Sequence, residues 1–196
     1  MAGIHLEEFS QFLRFSEAFA KGWHNAHHDA RQSSQGLGAA KTRKAAPMTP
    51  LDLSKQPPRP PRTTMLDFYF LPRTVDKLRA ELPGGDIGPY LNHDTGFSAF
   101  VVKRLGLDMD EFREAVARAD DEAAVIAWLS ERIDTAAAPA LNAKLETFVV
   151  ERMSPSDQIL VRERHPVMAS RPELSKMLDI LDADDEHAFS SPPRPA

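Results

Sequence analysis

The sequence predicts an all-α domain, an irregular bundle of short helices with an N-terminal polyproline arm and an extra N-terminal amphipathic helix. Three observations carry this prediction. Apolar residues recur at three- and four-residue spacing in one segment after another. Capping residues and prolines fall where those segments begin. No segment alternates apolar and polar residues in the manner of a half-buried strand. The segments are short and show no fixed-period repeat, so their apolar faces must pack on one another rather than along a long coiled coil.

The elements follow in order. Leu6, Phe9, Phe12, Leu13, Phe19 and Trp23 fit one amphipathic helix, weakened at its end by Gly22. Residues 29–47 have the small, polar composition of a linker, with Lys41, Arg43 and Lys44 clustered near its end. Residues 1–47 are therefore expected to be an extension or an upstream stretch read in frame, with Met48 as an alternative start. Residues 48–190 are expected to form one helical domain with a proline arm at 50–64, and 191–196 a disordered tail. After the apolar stretch Leu66 to Leu71, Pro72 suits the first turn of a helix carrying Val75, Leu78 and Leu82, stopped at Pro83-Gly84-Gly85. Asp94 or Thr95 caps a second helix closed by Gly106. Asp108 with Glu111 resembles a capping box for a third. Asp121 opens a fourth, Pro139 a fifth, and Ser154-Pro155-Ser156-Asp157 a sixth that ends at His165-Pro166. Ser170-Arg171-Pro172-Glu173 is expected to start a seventh.

The arm has a chemistry of its own. Residues 47–61 hold six of the 16 prolines of this 196-residue chain. Proline lacks the N–H and fixes φ, so Pro57 to Arg62 is expected in polyproline II. Arg59 and Arg62, three apart, would then project from one edge. Either they aim at an anion or an aromatic groove of a partner, or the arm straps over its own domain.

Composition excludes several classes of function. The absence of cysteine removes disulfides, thiolate nucleophiles, iron–sulfur clusters and cysteine zinc sites. The longest apolar run, Ala123 to Leu129, is far short of the roughly 20 residues of a membrane helix. A formal net charge of −5 argues against a general nucleic-acid binder. Without a secretory leader at residues 1–13 the expected location is cytoplasmic. No phosphate loop, dinucleotide fingerprint, HExxH or GxSxG motif is present, so no cofactor is expected.

Four groupings remain. Arg73, Asp76, Lys77 and Arg79 share one helix: Arg73 and Lys77 can hold an anion with Asp76 as orienting group or base, or the set is a solvated charged face. Tyr90, His93 and Asp94 in a turn-rich stretch form an acid–base element or an ordinary helix cap. Asp179, Asp182, Asp184, Asp185, Glu186 and His187 form a cation site or a solvated, fraying helix end. His24 and His28, four apart, present a metal pair or lie on a fraying end. No metal is expected.

Residues 51–62, LDLSKQPPRPPR, then 71–85, LPRTVDKLRAELPGG, then Gly88-Pro89-Tyr90 resemble a bacterial family designated domain of unknown function 5069. The matching positions are Leu51, Asp52, Leu53, Pro57, Pro58, Arg59, Pro61, Arg62, Leu71, Pro72, Arg73, Asp76, Lys77, Arg79 and Ala80, and the likeness is looser after about residue 110. The resemblance implies that the domain begins near Met48 and that arm and helix belong to one site or one packing unit. It brings no reaction. It also marks a departure: members usually carry a His-Phe-Asn-Cys stretch after the tyrosine, whereas here the histidine is displaced to His93 and Asp94 stands in the cysteine's place.

Two functions are compatible with these residues. One is a small cofactor-independent lyase, isomerase or hydrolase acting on an anionic organic metabolite. Arg59, Arg62, Arg73 and Lys77 would bind it, and Asp76, Tyr90, His93 and Asp94 would serve catalysis. The other is an accessory module whose arm and N-terminal helix dock a partner or a second copy, making a homodimer.

Overall fold

The computed structural model describes residues 48–90 and 96–190. The predicted N-terminal helix and linker, the tail at 191–196, and Asn92, His93 and Asp94 lie outside the described residues. Within them the architecture is all-α but for one small hairpin. Its elements are β1 (Thr64–Met65), β2 (Phe68–Tyr69), α1 (Leu71–Ala80), α2 (Gly96–Arg104), α3 (Met109–Arg118), α4 (Glu122–Ser130), α5 (Ala138–Glu146), α6 (Pro155–Arg164), α7 (Val167–Ser170) and α8 (Met177–Ser190). Short 3₁₀ turns at Thr135–Ala137 and Val150–Arg152 flank α5.

The caps act as the sequence requires. Asp108 accepts from the backbone N–H groups of Asp110 and Glu111, Asp121 from Ala124, and Ser154 from Asp157. Each satisfies a first-turn donor that has no partner inside the helix. Pro72, Pro139 and Pro155 sit in first turns, and His165 ends α6.

The core is one cluster. Phe70 stacks on Phe97 at 5.3 Å, and Phe148 meets Phe97 and Phe100 edge-on at 5.4 and 5.3 Å. Phe112 stacks on Trp128 at 5.6 Å. Helix α1 runs through the middle, packed against the hairpin, α2 and α3. All its residues except Arg79 are buried, including Arg73, Asp76 and Lys77. The solvated charged face is thereby excluded for these three.

The entry into α1 is tightly bent. Leu66 and Asp67, the two-residue loop of the hairpin, have φ of 50° and 65°, and Phe70 has 67°. Side chains at positive φ pay a steric cost of roughly 1–2 kcal/mol each, so something must hold them. Asn142 of α5 does so, accepting from the N–H of Tyr69 at 3.0 Å and donating to the carbonyl of Asp67 at 2.7 Å. Replacing Asn142 with alanine should therefore cost about 1–2 kcal/mol. Thermal unfolding checks it; an unchanged midpoint would show that the bend holds itself.

Two expectations are corrected. The proline arm is not one continuous polyproline helix: the N–H of Thr63 donates to the carbonyl of Pro60 at 3.0 Å, a turn that sends Arg59 and Arg62 to different helices. The seventh helix does not start at Ser170. Ser170 ends α7, and residues up to Lys176 stay non-helical because their backbone pairs with 148–150. The N–H of Val150 donates to Ser175, and that of Met177 to Phe148, both at 2.9 Å. That pairing is a long-range contact, invisible to local cap signals.

Candidate functional site

The arm lies across α1 and is fastened by its arginines. Arg59 grips Asp76 side-on, Nε to Oδ2 at 2.9 Å and Nη2 to Oδ1 at 2.8 Å, while its backbone N–H donates to the same Oδ2 at 2.9 Å. Its Nη2 also reaches Glu122 at 2.5 Å and the carbonyl of Pro72 at 3.1 Å. Burial works against the Arg59 charge, and Asp76 and Glu122 outweigh it. Arg62 grips Glu146 in the same side-on manner, Nε at 2.6 Å and Nη2 at 3.0 Å, and pairs with Asp179 at 2.7 Å. Glu146 and then Asp179 hold the Arg62 guanidinium firmly charged, and Arg62 in turn lowers the Glu146 carboxyl. The anions these two arginines hold in this structure are the protein's own carboxylates.

Arg73 is arranged differently. It is 2% exposed, and it meets Asp185 of α8 end-on, Nη1 to Oδ2 at 2.7 Å and Nη2 to Oδ1 at 3.2 Å. Nη1 also donates to the carbonyl of Arg59 at 3.1 Å. Its Nε is buried and has no hydrogen-bond partner. The hydroxyl of Tyr90 donates to Oδ1 of Asp185 at 2.7 Å, and the Tyr90 ring lies under both Arg73 (5.3 Å to the centroid) and Lys77 (5.9 Å). Lys77, one turn after Arg73, is buried and reaches the hydroxyl of Ser98 at 3.5 Å. Burial, reinforced by the like charge of Arg73 and opposed by Asp185 and Glu81, brings the Lys77 amine down to about 7. Burial and the bond to Asp185 push the Tyr90 phenol up, so it stays protonated.

Arg73, Lys77 and Tyr90 thus come together. Asp76, on the same helix, is taken up by Arg59 and lies 3.9 Å from Arg79. His93 and Asp94 lie outside the described residues. Sequence reasoning missed Ser98, Glu122 and Glu146, and of the acidic run, read as a cation site or a solvated, fraying end, only Glu186 and His187 are exposed. That run lies inside α8, which continues to Ser190. Asp179 and Asp182 face Arg62, Asp184 pairs with His165, and Asp185 with Arg73. The three-residue step from Asp179 to Asp182 to Asp185, which keeps to one helix face, was the available signal. Burial raises the Asp182 carboxyl, with Arg62 opposing.

Elsewhere a shallow groove between α3 and α4 is lined by Glu111, Glu114, Arg118, Trp128 and Arg132, none of them predicted site residues. Among the described residues no helix is long and apolar enough to cross a membrane, and no group of three acidic or histidine side chains is placed to hold a metal ion.

Fold and site together define a small helical bundle with a strap fastened by arginine over a buried Arg–Lys–Asp cluster edged by the half-buried Tyr90. The family model described as "Domain of unknown function (DUF5069)" matches residues 55–187, and the chain belongs to that family. A comparison with curated proteins finds no match.

Proposed function

We propose that this protein is a small cofactor-independent enzyme, a lyase, isomerase or hydrolase, acting on an anionic organic metabolite in the bacterial cytoplasm. The observation that carries the reading is the buried Nε of Arg73. An unpaired buried N–H costs about 1–3 kcal/mol, a cost that a bound carboxylate would remove. Arg59 and Arg62 already use the Nε–Nη2 edge on carboxylates, which is the fork that guanidinium offers such groups. In Arg73 that edge has only the Nη2 bond to Asp185, and it is the place for a substrate carboxylate. Lys77 supplies a second positive group or, neutral, a base. Tyr90, held by Asp185, supplies a proton. His93 and Asp94, just beyond Tyr90 in sequence, remain further candidates for proton transfer. Asp76, Arg59 and Arg62 fasten the arm that supplies the carbonyls of Pro58 and Arg59 to Arg73 at 3.4 and 3.1 Å.

Calorimetry and thermal shift with malonate, succinate, citrate and pyruvate test the reading. A fitting anion at 100 times its Kd should stabilise the fold by about 2.7 kcal/mol, raising Tm by about 5–10 °C. Arg73→Lys keeps the charge but loses the fork, and should weaken that anion at least about tenfold. If none of the four binds the wild-type protein, the proposal fails for small carboxylates.

A further inference from the structure

We infer that Lys77 is a nucleophile, and that the substrate class is a carboxylic acid bearing a ketone one or two carbons from the carboxylate. This inference rests on the carboxylate-binding reading of Arg73 proposed above. The geometry has three parts. First, Arg73 and Lys77 are four residues apart on α1, so their side chains leave the same helix face about 6 Å apart at Cβ. Second, both sit against one aromatic neighbour, the Tyr90 ring, at 5.3 and 5.9 Å from its centroid, which keeps the guanidinium and the amine in one region. A carboxylate on the Nε–Nη2 edge of Arg73 would hold the next one or two carbons of the same small molecule near the lysine. Third, the hydroxyl of Ser98 borders the amine at 3.5 Å, and Asp185 fixes the Tyr90 hydroxyl at 2.7 Å.

Among the described residues the groups facing Lys77 include Arg73, Tyr90, Ser98, Asp185 and, at longer range, Glu81. Burial and Arg73 dominate, so an appreciable share of the amine is neutral near pH 7. Desolvation beside another cation is one of the ways a lysine becomes a nucleophile. The neutral Nζ attacks the ketone carbon, and the carbonyl electron pair moves to oxygen. The attacking nitrogen, cationic once the C–N bond has formed, passes one proton to that oxygen to give a neutral carbinolamine, and the proton the ammonium first released protonates the new hydroxyl. Loss of water then leaves a protonated imine. Counted from ammonium and ketone, one water leaves and the single positive charge stays on nitrogen. That iminium is an electron sink adjacent to the carboxylate-bearing carbon chain, which suits cleavage or isomerisation there.

The test is reductive trapping. The full chain is incubated with pyruvate, acetoacetate or succinate, reduced with sodium cyanoborohydride, digested and mapped by mass. A ketone adduct adds the mass of the keto acid less one oxygen. With pyruvate or acetoacetate, modification of the Lys77 peptide is expected at least about tenfold above that of exposed lysines such as Lys55 and Lys176. Succinate, which has no ketone, should give none and should compete. The trapping rate should rise through about pH 7, not only near the usual lysine range. Lys77→Arg should abolish the adduct while the exposed lysines react as before. Adduct spread evenly over surface lysines, or absent at Lys77, overturns the inference. If Lys77 is unmodified but succinate still binds in an Arg73-dependent way, the nucleophile falls and the carboxylate site stands. If neither trapping nor binding occurs, both fall.

Discussion

Asp185→Asn should destabilise the protein by about 3–5 kcal/mol, the cost of leaving one member of a buried ion pair without its counter-charge. Arg73 is 2% exposed, and Asp185 is the carboxylate on its end-on edge. The substitution is nearly isosteric, so no cavity term enters. The amide oxygen can still accept from Tyr90, so the loss reads the charge and not the phenol contact. With roughly 2–4 °C per kcal/mol for a chain of this size, Tm should fall by about 6–20 °C. The control is Asp179→Asn on the same helix, where the side chain is 41% exposed and pairs with an arginine that has other partners. Such a pair is worth about 0–1 kcal/mol. Urea unfolding of the two variants side by side decides the matter. Equal, small losses would mean that Arg73 is solvated in solution and that the cluster is not a closed site.

Lys77→Met should act in the opposite direction, and it should do so as a function of pH. The folded amine titrates at about 7, against about 10.5 unfolded. A lysine whose folded value is lowered costs stability wherever the unfolded state holds its proton and the folded state must keep or lose it unfavourably. The cost is complete below about pH 7 and disappears as pH rises toward the unfolded value. A difference of that size corresponds to something on the order of 5 kcal/mol. Lys77→Met should therefore be more stable than wild type at pH 6.5, with the advantage shrinking steadily toward pH 10. On the proposed reading, imine formation and any turnover should be lost at every pH, while Arg73-dependent anion binding persists. Measuring the unfolding free energy of both proteins from pH 6 to 10 tests this, since other titrating groups cancel in the difference. A pH-independent difference would show that Lys77 keeps an ordinary amine. A stabilising core substitution that removes function is the signature of a residue retained for chemistry, because packing alone favours its replacement.

Much of the bundle was legible in the chain. Asp108, Asp121 and Ser154 announced their helices, and Pro72, Pro139 and Pro155 marked first turns. Capping is local, involving residues two or three apart, so a sequence carries it directly. The hairpin at 64–69 was not legible, since Leu66 is not a residue expected at positive φ, and Asn142 on a distant helix holds the bend. The start of α8 was misplaced for the same reason: residues 175–177 spend their backbone groups on 148–150, far away in sequence.

The site divides in the same way. Arg73, Lys77 and Tyr90 could be singled out from spacing and residue type, because the reach of side chains along a helix is fixed by its pitch. Which carboxylate each cation meets could not. Asp76 stands three residues from Arg73, yet it faces Arg59, and Arg73 meets Asp185, 112 positions on. By itself the sequence determined a helical domain, its caps, a proline arm and a set of charged residues near Tyr90. The tertiary structure alone decided that the arm folds back on its own domain, that α1 is buried nearly throughout, and that Asp185 of α8 reaches α1 while Asp179 and Asp182 meet the arm. The physical reason is that charge pairing in a folded chain follows burial. A guanidinium taken out of water takes the carboxylate that packing brings beside it, and packing joins residues that the chain keeps far apart.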